Sequence, residues 1–218
     1  MNSVPKVLSD PAARRSRMAM LDQPHVRALA DFVHDIRRLR ECGQEVPFFD
    51  PLDGGVHARC LFLLEAPGAK AVLSGFVSRD NPDESAKNFL LLNIEACIPR
   101  RWTVCWNIVP WYLGSGGKIR AAEAADVAAG LVFLERLLSL LLKLEIVVLV
   151  GGKAQQGAPW LGRHRPDLRL FHCPHPSPVF VNRHHANRLR IRDDLRVVAS
   201  YLNNSNDDVL NNGAWQDV

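Results

Sequence analysis

Short apolar segments alternate along this chain with longer segments of helical hydrophobic spacing, and this alternation restricts the possible folds more than any other feature. The apolar segments predict strands buried on both faces, and they cover residues 58–64, 102–106, 145–150 and 167–172. Helices are predicted between them, over residues 24–42, 82–97, 119–144 and 183–201, with another beginning near Lys153. The order predicts an α/β fold, a three-layer α/β/α sandwich around a central four-stranded, mainly parallel sheet.

The length of 218 residues suits one sizeable domain, which we place at residues 24–202. Residues 1–23 contain Arg14, Arg15 and Arg17 and are predicted to form a partly ordered basic arm. Residues 203–218 are predicted to form a polar tail, frayed because it is rich in Asn and Asp. The net charge of +4 permits nucleic-acid binding through a local patch but does not require it.

The cysteines give no signal for a metal or disulfide framework. They are five in number and scattered, without a C-x-x-C pair, which disfavours a zinc ribbon or a redox dithiol: Cys42, Cys60, Cys97, Cys105 and Cys173. Since no secretory signal is evident, we expect free thiols in a reducing cytoplasm. The longest apolar stretch, residues 137–142, is interrupted by Ser139, so no membrane partner is expected.

Three of the four predicted strands end in segments with unusual chemistry. In parallel sheets, ligands bind beyond the carboxyl ends of the strands, so these segments are expected to meet. The first is Glu65-Ala-Pro-Gly68, followed by Phe76 and Asp80; the second places Asn107 at a strand end; the third is the proline-rich loop His172-Cys-Pro-His-Pro-Ser-Pro178. Such a loop presents His175 and Ser177 rigidly, which suits preorganised hydrogen bonding.

Each segment alone also has an ordinary structural explanation. The first is compatible with a strand-ending turn whose Glu is solvated, Asn107 with bracing of a loop, and Phe76 with a place in the core. Metal binding by His172 and His175 is disfavoured, because no third ligand stands at a useful spacing. The arginine-rich run after residue 182 usually indicates a solvated helix face, although its position beside the proline-rich loop favours phosphate contact.

Together, in this order, these motifs resemble those of the uracil-DNA glycosylase superfamily, from about Leu61 to Leu195. Glu65-Ala-Pro-Gly68 is similar to the first active-site motif, in the form typical of the iron–sulfur branch, and His175-Pro-Ser-Pro178 is similar to the second. Three departures stand out. The two close N-terminal cysteines of the iron–sulfur branch are missing, so no cluster and no other cofactor or metal is expected. Ala66 stands where the fastest uracil enzymes have Asp, and Gly68 where they have the Tyr that excludes thymine.

The resemblance implies a DNA-repair glycosylase that flips uracil out of DNA and hydrolyses its N-glycosidic bond, leaving an abasic site. It implies a monomeric, bacterial-type, nucleoid-associated cytoplasmic protein whose partner is DNA containing uracil or abasic sites, with no membrane partner. It implies these roles: Glu65, His175 and, as a second choice to Glu65, Asp80 in catalysis; Ala66, Gly68, Phe76 and Asn107 in binding the flipped base; Ser177, Val179, Phe180, Arg183 and Arg188 in binding DNA. Three alternatives remain open: a glycosylase of broader lesion range, a lesion-binding protein with weak or no catalysis, and, more remotely, a small-molecule hydrolase. The chain lacks the G-x-S-x-G elbow, which argues against the commonest form of the last alternative.

Overall fold

The computed structural model describes residues 4–41, 45–115 and 118–212, with the backbone alone at residues 115, 118 and 205–212. Its strands are β1 (Phe48–Phe49), β2 (Cys60–Leu64), β3 (Phe76–Val77), β4 (Thr103–Asn107), β5 (Gly114–Ser115), β6 (Lys118–Ile119), β7 (Ile146–Val150) and β8 (Arg169–Cys173). Its helices are α1 (Pro11–Met18), α2 (Pro24–Arg40), α3 (Ala69–Ser74), α4 (Glu84–Glu95), α5 (Ala124–Leu140), α6 (Gly152–Gln155), α7 (Ala158–His164), α8 (Pro178–Val181) and α9 (His185–Asn212).

The central sheet has four strands in the order β4-β2-β7-β8, and every neighbouring pair is parallel. The predicted α/β fold with a four-stranded parallel sheet is therefore confirmed. All five residues of β7 are buried, and β-branched side chains dominate it, as expected for a strand covered on both faces. Two small pairs accompany this sheet: the parallel pair β1–β3 and the antiparallel hairpin β5–β6.

Helices cover both faces of the sheet. Trp106 pairs with Leu63, and Phe62 with Cys105, so these two pairs point to opposite faces, because side chains alternate along a strand. Phe32 of α2 contacts Trp106 at a ring distance of 6.0 Å, whereas Phe89 of α4 contacts Phe62 at 4.9 Å. Helix α5 packs beside α2 and helix α9 beside α4, which completes the three layers.

The N-terminal segment is more ordered than the sequence suggested. Residues 11–18 form α1, capped by Asp10, whose side chain accepts a hydrogen bond from the Ala12 amide at 2.8 Å. Arg17 of this helix and Leu8 before it are buried, so the expectation of a partly ordered arm does not fit this segment. At the other end, the backbone of α9 continues to Asn212, and residues 213–218 of the predicted tail lie outside the described residues.

Candidate active site

A cavity of about 400 Å³ lies beyond the carboxyl ends of β2 and β4. Its walls come from separate parts of the chain: Leu64 and the turn Ala66–Ala71, Val77–Arg79, Asn81, Asp83, Ser85, Ala86 and Phe89, Cys105 and Asn107, Ile119, and His175–Pro176. Both motif turns and the end of β4 therefore meet in one place, at the sheet edge where ligands of parallel sheets bind. The volume is within the usual range of small-ligand sites.

Asn107 ends β4 with its side chain buried, 4 % exposed, in the cavity wall. Its backbone pairs with Leu64, so its side chain points to the same face as Cys105 and towards α4. Among the described residues, no hydrogen-bond partner reaches its amide nitrogen Nδ2. A buried donor without a partner costs about 1–3 kcal/mol. An amide held in this way is ready to bind a ligand acceptor in the cavity.

His175 lines the same cavity from the loop that follows β8. The loop is fixed on two sides. On one side, the Asn88 side chain of α4 donates a hydrogen bond to the Pro176 carbonyl at 3.1 Å. On the other side, Gly151 (φ 84°) packs so closely against His175 that a Cβ added to this glycine would lie 3.2 Å from the His175 Cβ. Ser177 then caps α8, accepting a hydrogen bond from the Phe180 amide at 3.4 Å.

The imidazole of His175 is kept neutral. Burial lowers its pKa below the ordinary 6.5, and the opposing charges of Glu65 and Asp83 only partly offset this effect. A neutral imidazole carries one N–H donor, which suits it to stabilise an anion that develops during a reaction. Glu65 and Asp83 are therefore close enough to the loop for their charges to act on His175.

Glu65 is held at the edge of this arrangement and does not line the cavity. Its Oε1 accepts a hydrogen bond from the Ala122 amide at 2.8 Å, and its carbonyl accepts one from Val109 at 2.9 Å. These bonds attach the end of β2 to the segments that follow β4 and precede α5. The first predicted catalytic carboxylate is thus near His175, but one of its oxygens already has a structural partner.

The structure places Asp80 elsewhere than predicted. It is buried, 4 % exposed, and its Oδ2 accepts hydrogen bonds from Arg17 at 3.1 Å and Arg100 at 2.9 Å. It does not line the cavity, so it is a poor candidate for activating water there. The ion pair between Asp80 and Arg17 could not be predicted from the sequence, because the two residues are 63 positions apart.

Phe76 is also displaced from its predicted role. Its ring is fully buried in β3, 6.5 Å from the ring of Phe48, and it does not line the cavity. The next residue, Val77, does so instead, since adjacent side chains on a strand point to opposite sides. The alternative interpretation of Phe76 as a core residue therefore fits the structure, and the prediction that it stacks on a base does not.

Two cavity residues escaped sequence reasoning. Asp83 is the one carboxylate in the cavity wall among the described residues; as the cap of α4, its Oδ1 accepts a hydrogen bond from the Ala86 amide at 2.9 Å, and Oδ2 takes no part in that bond. Phe89 has the one phenyl ring in that described wall. Asp83 showed only a helix-start signal in the sequence, and Phe89 only the helical spacing of a core residue.

The residues predicted to bind DNA lie on and after the proline-rich loop. Val179 projects into solvent, 82 % exposed, whereas the Phe180 ring packs partly buried against the core. Of these two candidates for a wedge, Val179 is therefore the better placed. Arg183 is exposed, and Arg188 forms an ion pair with Glu95 that joins α9 to α4.

The described residues contain no cluster of three or more His, Cys, Asp or Glu side chains that could hold a metal ion. Within them, Cys60, Cys97, Cys105 and Cys173 are free thiols, while Cys42 lies outside the part of the chain described. Burial raises the pKa of the Cys173 and Cys105 thiols to about 12, so neither is a ready nucleophile. None of the described helices is both long enough and apolar enough to cross a membrane.

Comparison with known proteins agrees with this geometry. The model of the uracil DNA glycosylase superfamily matches residues 51–196, about two thirds of the chain. The chain belongs to the uracil DNA glycosylase superfamily. Among solved structures, wild-type Pedobacter heparinus SMUG2 is similar, with a TM-score of 0.53 and 16% identity over 68% of this chain and 77% of that chain. No curated protein sequence gives a significant match.

The matched region contains the four strands of the central sheet, both motif turns and the residues that line the cavity, since all of these lie within residues 51–196. Helices α1 and α2 precede the matched region. At 16% identity, the similarity to SMUG2 shows a shared fold and does not identify the substrate of this chain.

Proposed function

We propose that this chain is a DNA glycosylase that flips uracil out of DNA and hydrolyses its N-glycosidic bond, leaving an abasic site. The observation that carries the proposal is the unpartnered Nδ2 of buried Asn107, in a cavity that it shares with His175. A base within the stack cannot reach such a cavity, so the nucleotide must be extruded first, at a cost of a few kcal/mol. Val179, which is exposed, would fill the gap left in the duplex.

Recognition of uracil follows from the chemistry of an amide. Nδ2 of Asn107 would donate to uracil O4, while its carbonyl oxygen would accept from N3–H. Cytosine presents an amino group and an unprotonated ring nitrogen at these positions, so it would leave donor facing donor and acceptor facing acceptor. Sites that pair with a base through buried polar groups discriminate strongly, because the wrong base leaves those groups unsatisfied.

Breaking the bond would produce an anionic base and a cationic, oxocarbenium-like sugar. The neutral imidazole of His175 would donate to uracil O2 as the negative charge develops. The water that attacks the sugar needs a carboxylate to orient it. We assign this role to Asp83, because it lines the cavity and its capping bond uses only one carboxylate oxygen, with Glu65, which does not line the cavity, as a second source of negative charge.

A broader range of lesions is the second candidate. Gly68 faces open space, since a Cβ added there would meet no atom within 4 Å. Nothing at this position therefore limits the size of the base, which favours deaminated purines or exocyclic adducts alongside uracil. A panel of oligonucleotides that each carry one such lesion would measure the range.

The first test is cleavage of a uracil-containing oligonucleotide after incubation with the protein and treatment with hot alkali. We expect cleavage by the wild type and a loss of roughly 5- to 150-fold in excision for Asn107→Asp, which corresponds to about 1–3 kcal/mol for an unsatisfied buried group. Asn203→Asp, at an exposed position on α9, is the matched control and should behave as wild type.

Two outcomes would count against the proposal. Tight binding to uracil or abasic DNA without any cleavage would indicate the lesion-binding alternative. Cleavage by Asn107→Asp with unchanged preference for uracil over cytosine would remove this residue from base recognition.

A further inference from the structure

A buried network of charges lies behind one wall of the cavity. It comprises three arginines and three aspartates, so its formal charges balance: Arg17, Arg79, Arg100, Asp50, Asp53 and Asp80. Each aspartate in it is no more than 4 % exposed. Burial alone would raise the pKa of Asp50, but Arg100, Arg17 and the Ser78 hydroxyl outweigh it and lower that pKa below 3.8.

Arg17 is the member of the network that comes from α1, a helix that precedes the matched superfamily region. Its guanidinium donates to Asp50 and, at 3.1 Å, to Asp80. Nearby, the Leu8 amide donates to the Asp80 carbonyl at 3.1 Å, and Lys6 pairs with Glu84. The segment that contains α1 therefore contacts Asp80, between β3 and α4, at its backbone and its side chain, and contacts the first residue of α4 through Glu84.

The chain between β3 and α4 forms one wall of the cavity. Ser78, Arg79, Asn81 and Asp83 all line it, and Asp80 stands in the middle of this run. Ser78 donates to Asp50 and accepts from the Asp80 amide at 2.9 Å, so the backbone here is tied directly to the network. A shift of Asp80 would move Asp83, which is three residues further along the chain.

We propose that Arg17 is a positioning residue of the active site, which holds the Ser78–Asp83 wall, and through it Asp83, against the cavity. The proposal rests on the proposed glycosylase function for the meaning of the site. The bonds that carry it join α1 to Asp80 in the wall and to Asp50, which accepts a hydrogen bond from Ser78 of the wall; they involve no ligand. Arg17 touches no base or sugar and acts only through Asp50 and Asp80.

The experiment uses the full chain and four variants: Arg17→Gln, Arg17→Lys, the charge-balanced double variant Arg17→Gln/Asp50→Asn, and Arg15→Gln. Arg15 is the matched control, because it lies on the same helix, carries the same charge and is exposed. For each protein, single-turnover excision of uracil is measured against enzyme concentration, which separates the saturating rate from the half-saturation point. Hydrogen exchange of the amides of residues 77–83 is measured without DNA, and circular dichroism reports folding.

We expect Arg17→Gln to lower the saturating rate roughly 10- to 100-fold, the range that follows when a catalytic group is misplaced by about 1 Å. The half-saturation point should change less than about threefold, since the DNA-contacting loop is untouched. Exchange of the amides of residues 77–83 should accelerate, because the segment loses its buried anchor. Arg17→Lys should recover part of the rate, since it restores the charge without the two-pronged geometry, and Arg15→Gln should match the wild type.

A folded Arg17→Gln protein with wild-type rate and wild-type exchange would overturn the proposal. If Arg17→Gln does not fold, the double variant decides in its place, because it removes one charge of each sign and leaves the network balanced. If the wild type excises no base, the proposed function fails, yet the exchange experiment still decides whether Arg17 holds the wall.

Discussion

Replacing His175 by alanine tests the proposed chemistry most directly. The cavity stays otherwise intact in this variant, because its loop is fixed by the Asn88–Pro176 hydrogen bond, by Ser177 at the start of α8 and by close packing against Gly151. What is lost is a single N–H donor aimed at the leaving base. A preorganised donor of this kind contributes roughly 2.7–4 kcal/mol to a transition state. At about 1.36 kcal/mol per tenfold change in rate, excision should fall by roughly 10²- to 10³-fold.

The assay is single-turnover release of uracil, followed from pH 5 to pH 8, together with binding of an abasic-site analogue. Binding should change little, because the imidazole acts on the leaving base. The wild-type rate should be level from pH 8 to about 6.5, and the fall caused by protonation of His175 should come at lower pH, since burial holds the pKa of His175 under 6.5 and only the neutral ring is the active form. The alanine variant should lack this particular fall.

His172→Ala is the matched control, because His172 is exposed at the end of β8 and does not line the cavity. Excision by His175→Ala within a fewfold of the wild type would refute the assigned role. A loss of equal size in His172→Ala would show that the effect arises from disturbance of the loop.

Three further changes have distinct expected results. Asp83→Asn should slow uracil excision by roughly 10²- to 10⁴-fold at every pH, as for loss of a general base, and should retain binding of abasic DNA. A thermal melt checks that Asn still caps α4, and retention of activity would return the role to Glu65. Gly68→Tyr should narrow the lesion range by occupying the open space at this position, so excision of purine lesions should drop more than that of uracil, and an equal drop for both would contradict the space argument. Asp50→Asn should destabilise the fold by roughly 3–5 kcal/mol, since it leaves buried arginines without a counter-charge, and lower the Tm by about 6–20 °C; an unchanged Tm would indicate that Ser78 and the neighbouring aspartates compensate.

The central sheet could be predicted because its strands are short, nearly unbroken apolar runs, and such runs are stable only when covered on both faces. The meeting of Asn107 and His175 also followed, since parallel strands bring their carboxyl ends to one edge. Strands β1 and β3 could not be predicted. Each has two residues, and their pairing of Phe48 with Phe76 depends on tertiary contact alone.

The errors have specific physical origins. On β3, the side chains of Phe76 and Val77 point to opposite sides. The prediction placed Phe76 in the cavity, but the residue that lines it is Val77, one position further along the strand, and Phe76 lies in the core. Arg17 was predicted to belong to a partly ordered basic arm because its partners, Asp50 and Asp80, are 33 and 63 residues away. Local charge patterns do not report such long-range pairing.

The distribution of charge in the cavity is consistent with the proposed reaction. The reaction generates a cation on the sugar and an anion on the base, so a single fixed charge at the site would favour one and oppose the other. Here the negative group in the described wall, Asp83, stands at the start of α4, where an anion is stabilised by the helix dipole. The group assigned to the base, His175, is kept neutral by burial although two carboxylates act on it. If that imidazole were charged, it would attract Asp83, whose charge already acts on it, and would offset the negative charge available to the sugar. Neutrality of His175 is therefore what allows the two groups to act separately.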